Sequence, residues 1–366
     1  MGPKLEVMSN ETETALAQTA AEIADILSAR TRASHEGRVL SLVRLYQGQD
    51  LVDLLDLIDL SRLLNVLDNR RWGPDSRKEF IRLLQPIIDR ISVTSKASMI
   101  RTLARKNMTP AEEQFLAKMF MTENGEPLTR LKLDVDRATD GYDLLHILYN
   151  RFQSADLRFD LIQHFLQDSA ESRGLRVVSD IDDTLYSSLY DHRYPRGTIY
   201  PGVLELLSQL SPHPPIFLTA RPELPASIFE RFTHHQLRRY GIEGATVLSG
   251  NLPGLFGHRR MADQKARTLT QYIELYPEFR FIFIGDSGQG DTAMAHKLLG
   301  RKPPPIERAY IHKLSDTHPG AHSEHRSLQH FENYGQAAAL LAEHGYLSSE
   351  QVDEVQACLQ ESSSFG

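Results

Sequence analysis

From residue 1 to about 170, apolar positions fall in stripes of helical period. Leu16, Ala20, Ile23 and Leu27 recur at three- and four-residue spacing, as do Leu51, Leu54, Leu55 and Ile58. Such spacing predicts amphipathic helices. Ser76-Arg77-Lys78-Glu79, after Gly73-Pro74, has the form of a capping box that opens a helix. Thr109-Pro110-Ala111-Glu112 repeats the form with proline in the first helical position. Tyr142–Phe152 gathers its apolar residues into one broad stripe. No strand-like alternation interrupts these segments, so this half is expected to be all-α.

The pattern changes near Ser172-Arg173-Gly174. Short apolar runs (LRVVSD, PIFLTA, ATVLSG, RFIFIGD, ERAYIHKL) now alternate with helical stretches (PGVLELLSQL, SIFERFTHHQLRRY, DQKARTLTQYIELY, DTAMAHKLLG). Alternation of this kind predicts an α/β fold, a doubly wound parallel sheet covered by helices on both faces. From about Phe331 to Leu359 the chain reads as helix again, before a polar tail, ESSSFG. The expected organisation is an all-α domain over 1–170, an α/β domain over 171–330, and a carboxy-terminal helix with its tail over 331–366.

The carboxyl ends of the proposed strands carry the chemistry, since reactive groups gather there in open parallel sheets. The first ends in Asp180-Ile181-Asp182-Asp183-Thr184, the second in Thr219, and the third in Ser249-Gly250. A fourth ends in Gly285-Asp286-Ser287-Gly288-Gln289-Gly290-Asp291, and Lys265 is read as opening the helix before it. Several acids, a hydroxyl and an ammonium are thereby brought to one sheet edge.

This order resembles the haloacid-dehalogenase superfamily of phosphotransferases, motif for motif. Asp180, Asp182 and Thr184 match its DxDxT, Thr219 its strand-closing Ser or Thr, Lys265 its lysine, and Asp286 with Asp291 its GDxxxxD. SDIDDT, LTARP and GDSGQGD look like the variants found in the catalytic domain of the actin-patch-protein phosphatidate phosphatases. The resemblance covers about Ser172 to Leu314. That family usually has His before the lysine and an acidic, proline-containing stretch after GDSG. Here Gln264 and Gly290-Asp291-Thr292 stand in those places.

The resemblance implies a phosphomonoester hydrolase. Asp180 would attack phosphorus to form an aspartyl-phosphate. Asp182 would protonate the leaving alkoxide and then activate water. Thr219 and Lys265 would bind the phosphoryl oxygens, and Thr184 would contact substrate. Arg221 in LTARP is read either as a contact to the phosphoryl group or a lipid headgroup, since a guanidinium pairs well with phosphate oxygens, or as a salt-bridge partner of Glu223. At ~4 Å and an effective dielectric near 20, each like-charge pair costs about 4 kcal/mol. Crowded aspartates facing a phosphate dianion therefore call for a divalent cation. Mg²⁺ suits an all-oxygen site. Asp180, the Asp182 main-chain carbonyl and Asp286 would hold it, with Asp291 direct or through water. The implied substrate is phosphatidate, converted to diacylglycerol and phosphate. Short inserts between the motifs leave the site open to bulky substrates.

Composition narrows the picture further. Of 366 residues, 41% are hydrophobic and 24% charged, an ordinary globular balance. A net charge of −7 speaks against a general nucleic-acid binder. The single cysteine, Cys358, cannot make an intrachain disulfide. No apolar run approaches the ~18 residues of a membrane span. The opening MGPKLEVMSNETE has no signal-peptide core, and Glu6 does not support myristoylation at Gly2. The expectation is a cytoplasmic protein, associated peripherally with a membrane where its substrate is a phospholipid. Gly257-His258-Arg259-Arg260 is read as a solvated loop in preference to a membrane contact. Two alternatives stay open: the same chemistry on a soluble or protein phosphomonoester, and a helical interaction protein carrying an inactive phosphatase-like domain.

Overall fold

A computed structural model of the chain describes residues 2–28, 33–67, 75–137, 143–167, 174–188, 190–219, 235–249, 258–288, 290–314 and 325–364. The chain divides into two compact units, the first holding the helices as far as His164 and the second built on residues from Phe165 onward.

The first unit is all-α. Its helices are α1 (Gly2–Ser28), α2 (Ala33–Val43), α3 (Gly48–Leu57), α4 (Leu60–Val66), α5 (Ser76–Leu84) and α6 (Val93–Ala104). They continue with α7 (Pro110–Met121), α8 (Gly125–Asp136), α9 (Leu144–His146), a π-helical turn at Ile147–Arg151, and α10 (Ala155–Gln167). Side-chain oxygens cap the orphan amides at several starts: Asp59 accepts from Arg62, Ser92 from Ser95 and Asp143 from His146. The capping box at Thr109 and Glu112 forms as the sequence predicts, with Pro110 in first position. The other differs. Asp75, not Ser76, caps α5 by accepting from Lys78, and Ser76 is already helical. Leu16, Ala20, Ile23, Leu27, Leu51, Leu54 and Leu55 are buried, as their spacing requires. Arg77, itself buried, donates to the carbonyls of Leu67 and Leu64 and pairs with Glu112 at 3.2 Å. It thereby satisfies groups that the end of α4 leaves without helical partners.

The second unit holds a six-stranded, wholly parallel sheet in the order β3-β2-β1-β4-β5-β6. The strands are β1 (Leu175–Asp180), β2 (Ile216–Thr219), β3 (Thr246–Ser249), β4 (Arg280–Asp286), β5 (Arg308–His312) and β6 (Leu328–Phe331). The described helices are α11 (Val203–Leu210), α12 (His258–Glu274), α13 (Asp291–Leu299), α14 (Tyr334–Glu343) and α15 (Ser349–Ser364). Every residue of β1 is buried, as expected of a central strand covered on both faces. Alternate strand residues Val177, Phe217, Ile282, Ile284 and Tyr310 pack with Leu206, Leu210, Ala337, Leu341 and Val355. α11, α14 and α15 thus share one face. α12 contacts β2 and β3, and α13 contacts β4 and β5. Helices therefore cover both faces, the doubly wound layout the sequence predicts.

Three details differ from the sequence reading. β6 is an additional strand where only helix was expected to follow β5. α12 begins at His258, so His258–Arg260 form its first turn instead of a loop, and Lys265 lies two turns inside it instead of at its start. The run SIFERFTHHQLRRY lies largely outside the described residues; its end, residues 235–239, is helical.

Strand order fixes where a site can form. The chain lays down β1, β2 and β3 in one direction, then returns to place β4 on the other side of β1. Connections diverge at that switch, leaving a crevice beyond the carboxyl ends of β1 and β4. Asp180 closes β1 and Asp286 closes β4.

Candidate active site

The β1 loop is built by Asp183. Its φ is +56°, in the left-handed region that an Asp tolerates better than most side chains. Its carboxylate accepts the backbone amides of Ser188 at 2.7 Å and Tyr190 at 2.9 Å. His312, at the end of β5, donates from Nδ1 to the Asp183 carbonyl at 3.2 Å. The His312 Nε2 accepts from Arg193 at 3.1 Å. One ring nitrogen therefore donates and the other accepts, which defines a neutral imidazole. Burial lowers its pKa, in agreement. Asp191 grips the Arg193 guanidinium at 2.8–2.9 Å and accepts from the Tyr200 hydroxyl at 2.9 Å. Tyr200, Phe331 and Tyr334 pack around the imidazole, and Tyr334 donates its hydroxyl to the Thr184 carbonyl.

On this platform Asp180, Asp286 and Asp291 come together, each buried and each offering an oxygen within 4.8 Å of the others. Lys265 reaches in from α12. Its Nζ lies 2.9 Å from Asp180 Oδ1 and donates to Asp291 Oδ1 at 2.8 Å. Asp286 Oδ1 accepts from the Gly288 amide, while Asp291 Oδ2 lies 3.4 Å from the Asp286 amide that donates to it. Two glycines make this crowding possible. A Cβ on Gly285 would stand 2.5 Å from Asp291 Oδ2 and 2.6 Å from the Phe283 ring. One on Gly288 would stand 2.9 Å from Tyr190 and 3.0 Å from Asp286 Oδ1.

One ammonium faces three buried carboxylates, so the cluster is short of positive charge. Burial and then the Asp291 carboxylate push Asp180 up to about 8, against the pull of Lys265. Burial, with Asp291 and Asp180, raises Asp286 well above the usual carboxylate range. Burial works against the charge on Lys265, yet Asp180 and Asp291 outweigh it and raise its pKa. Asp180 Oδ2 and Asp286 Oδ2 are buried and have no hydrogen-bond partner. Buried acceptors are rarely left so. A cation bound through oxygens would satisfy both atoms and supply the missing charge. The donor set is all oxygen, which suits Mg²⁺, and three ligand atoms within 4.8 Å approach the ~4.2 Å that opposed oxygens span at ~2.1 Å bond lengths. The residues fit the ion.

The remaining candidates are placed unevenly. Thr219 ends β2 beside β1 and is buried. Thr184 is fully buried, and its hydroxyl has no partner. Asp182 is buried and accepts from the Ser188 hydroxyl at 2.7 Å. Arg221 lies outside the described residues. Sequence reasoning missed Ser188, Asp191, Arg193, Tyr200, His312 and Tyr334. Only His312 carried a usable signal, because it ends a predicted strand at the same sheet edge as Asp180 and Asp286.

Residues 175–313 match the family model for the catalytic domain of phosphatidate phosphatase APP1. That stretch of 139 residues is under half of the chain. No curated protein and no solved structure matches.

Proposed function

We propose that the chain is a Mg²⁺-dependent phosphomonoester hydrolase that works through an aspartyl-phosphate, with phosphatidate as its substrate and residues 171–330 as its catalytic domain. The aspartate cluster and the family match support the general chemistry. The lipid rests on the family's name and on the open site that the short inserts imply. The observation that carries the reading is the pair of partnerless buried oxygens on Asp180 and Asp286, at the ends of adjacent strands.

In this reading Asp180, Asp286 and Asp291 would hold Mg²⁺ with the Asp182 carbonyl, Asp291 either directly or through water. When bound, the ion offsets the negative charge of carboxylates and phosphoryl group together. An Asp180 oxygen attacks phosphorus, and the phosphorus–ester oxygen bond breaks. The departing oxygen takes the proton of the Asp182 carboxyl and leaves as an alcohol. Water then attacks the aspartyl-phosphate, giving its proton to Asp182 and restoring the Asp180 carboxylate as phosphate leaves. Lys265 orients Asp180 and contributes positive charge beside the phosphoryl oxygens, with Thr219 donating from the neighbouring strand. Thr184 and Arg221 complete the substrate contacts. The protein would work at the cytoplasmic surface of a membrane without crossing it; among the described residues no helix is long and apolar enough to span one.

Phosphatidate vesicles assayed beside a generic aryl phosphate test the substrate. Turnover of the aryl ester alone would replace the lipid by a soluble or protein phosphomonoester. Asp180→Asn tests the nucleophile: undiminished turnover would exclude it. Trapping of the metal-loaded protein by beryllium fluoride is the expected direct sign of an attacking aspartate.

A further inference from the structure

Ser188 belongs to none of the four motifs, yet its hydroxyl donates to Asp182 Oδ1 at 2.7 Å. Its own position is fixed from several sides. The Ser188 amide donates to the Asp183 carboxylate at 2.7 Å, and Tyr190 donates to the other oxygen of that carboxylate. The preceding residue, Ser187, is locked into a small hairpin. Its amide donates to the Thr198 carbonyl at 2.9 Å, and its carbonyl accepts from Gly197 at 2.7 Å. Tyr186 bridges to Ile199 in the same hairpin. A serine hydroxyl on a loose loop samples several rotamers. This one is presented to Asp182 by a backbone held through the hydrogen bonds of Ser187, Ser188 and Tyr190.

We infer that Ser188 is a positioning residue for Asp182, fixing the carboxyl group that passes the proton to the departing alkoxide. The inference rests on the role given to Asp182 above. An ionised carboxylate only accepts hydrogen bonds, whereas a protonated one has one oxygen that accepts and one that carries the proton. A hydroxyl donating to Oδ1 keeps Oδ1 as the accepting oxygen and sends the proton to Oδ2. It also restrains the carboxyl plane about its last torsion. During phosphoryl transfer the proton leaves Oδ2 for the ester oxygen as the phosphorus–oxygen bond breaks. Asp182 is then ionised and still accepts from Ser188, poised to take the proton of the incoming water. A misplaced catalytic group loses up to ~10²-fold in rate for about 1 Å of displacement.

The test is a leaving-group series, because proton donation matters for poor leaving groups and not for good ones. kcat/KM, which reports departure of the alcohol, is measured for an alkyl phosphate and for nitrophenyl phosphate with the Mg²⁺-loaded full chain. Ser188→Ala should lower it about 10- to 100-fold on the alkyl ester and leave the nitrophenyl ester unchanged. Ser188→Thr, which keeps the hydroxyl, should restore the alkyl ester. Asp182→Asn should show the same selectivity to a greater degree. An equal loss on both esters in Ser188→Ala, or no loss on either, would overturn the inference while selective loss in Asp182→Asn leaves the mechanism standing. If Asp182→Asn shows no selectivity, the proton-donor role fails and the inference with it.

Discussion

Loading the aspartate cluster with Mg²⁺ should drive protons off the protein, and the structure sets how many. Three buried carboxylates share one ammonium, and Asp180 is pushed up to about 8 by burial and by Asp291. At pH 7 a group with that pKa is protonated about ten times in eleven, so it holds ~0.9 proton. Metal ligation requires the carboxylate, so that proton must leave. Asp286 is raised by burial and the same neighbours. The expected release from Asp180 is therefore ~0.9 proton per ion at pH 7, falling to about one half at pH 8. Binding should tighten about tenfold per pH unit per proton below that point. Calorimetric titration in two buffers of different ionisation enthalpy measures the number directly. A release indistinguishable from zero at pH 7 would refute the claim that the metal replaces protons in this cluster.

Further outcomes follow from the same geometry. In metal-free protein, the folded state keeps the Asp180 proton that the unfolded chain gives up near 3.8, so this stabilisation is lost as pH rises through about 8. Melting temperature should fall between pH 7 and 8.5 without metal, and Mg²⁺ should raise it more at the higher pH. Lys265→Met strips the counter-charge from Asp291 at 2.8 Å and a polar neighbour from Asp180 at 2.9 Å. Denaturant titration of the metal-free variant should show a loss of about 3–5 kcal/mol, part of it recovered with Mg²⁺, and turnover should vanish. Gly285→Ala drives a methyl against Asp291 and the Phe283 ring. It should destabilise by about 1–3 kcal/mol and weaken Mg²⁺ binding in the same calorimetric assay. Asp183→Ala leaves the amides of Ser188 and Tyr190 without their acceptor. A loss of about 2–4 kcal/mol in chemical denaturation is expected, with turnover falling on every ester.

How far the sequence reveals this depends on the range of each interaction. Helical period and capping are local, so the first unit reads correctly down to the Thr109–Glu112 box. Where two residues can cap, as Asp75 and Ser76 can, only the folded chain decides between them. Asp180 and Asp286 are legible because each ends an apolar run. That they face one another is not, since β1 and β4 are separated by two strands and become neighbours only through the reversal of strand order. Leu328–Phe331 escaped notice because an edge strand of four residues, two of them half-buried polar ones, has no apolar run to announce it. Ser188 and Tyr334 were invisible for another reason. Both act through a hydroxyl on a group that sequence spacing does not connect with a function, Ser188 six residues from Asp182 and Tyr334 150 residues from Thr184.

Tyr334 and Phe331 also bear on how this catalytic unit can be cut from its chain. A fragment ending at residue 313, where the family match stops, would expose the outer side of β5 as a raw sheet edge. It would strip two of the three rings from around His312 and the hydroxyl from beneath Thr184. Gly335 lies so close to Leu359 that a methyl there would approach it to 2.7 Å, so the last two helices interlock and leave together or stay together. The 171–330 domain is therefore expected to need the last two helices to stand alone, so a stable fragment should run through α15, some fifty residues past the end of the family match.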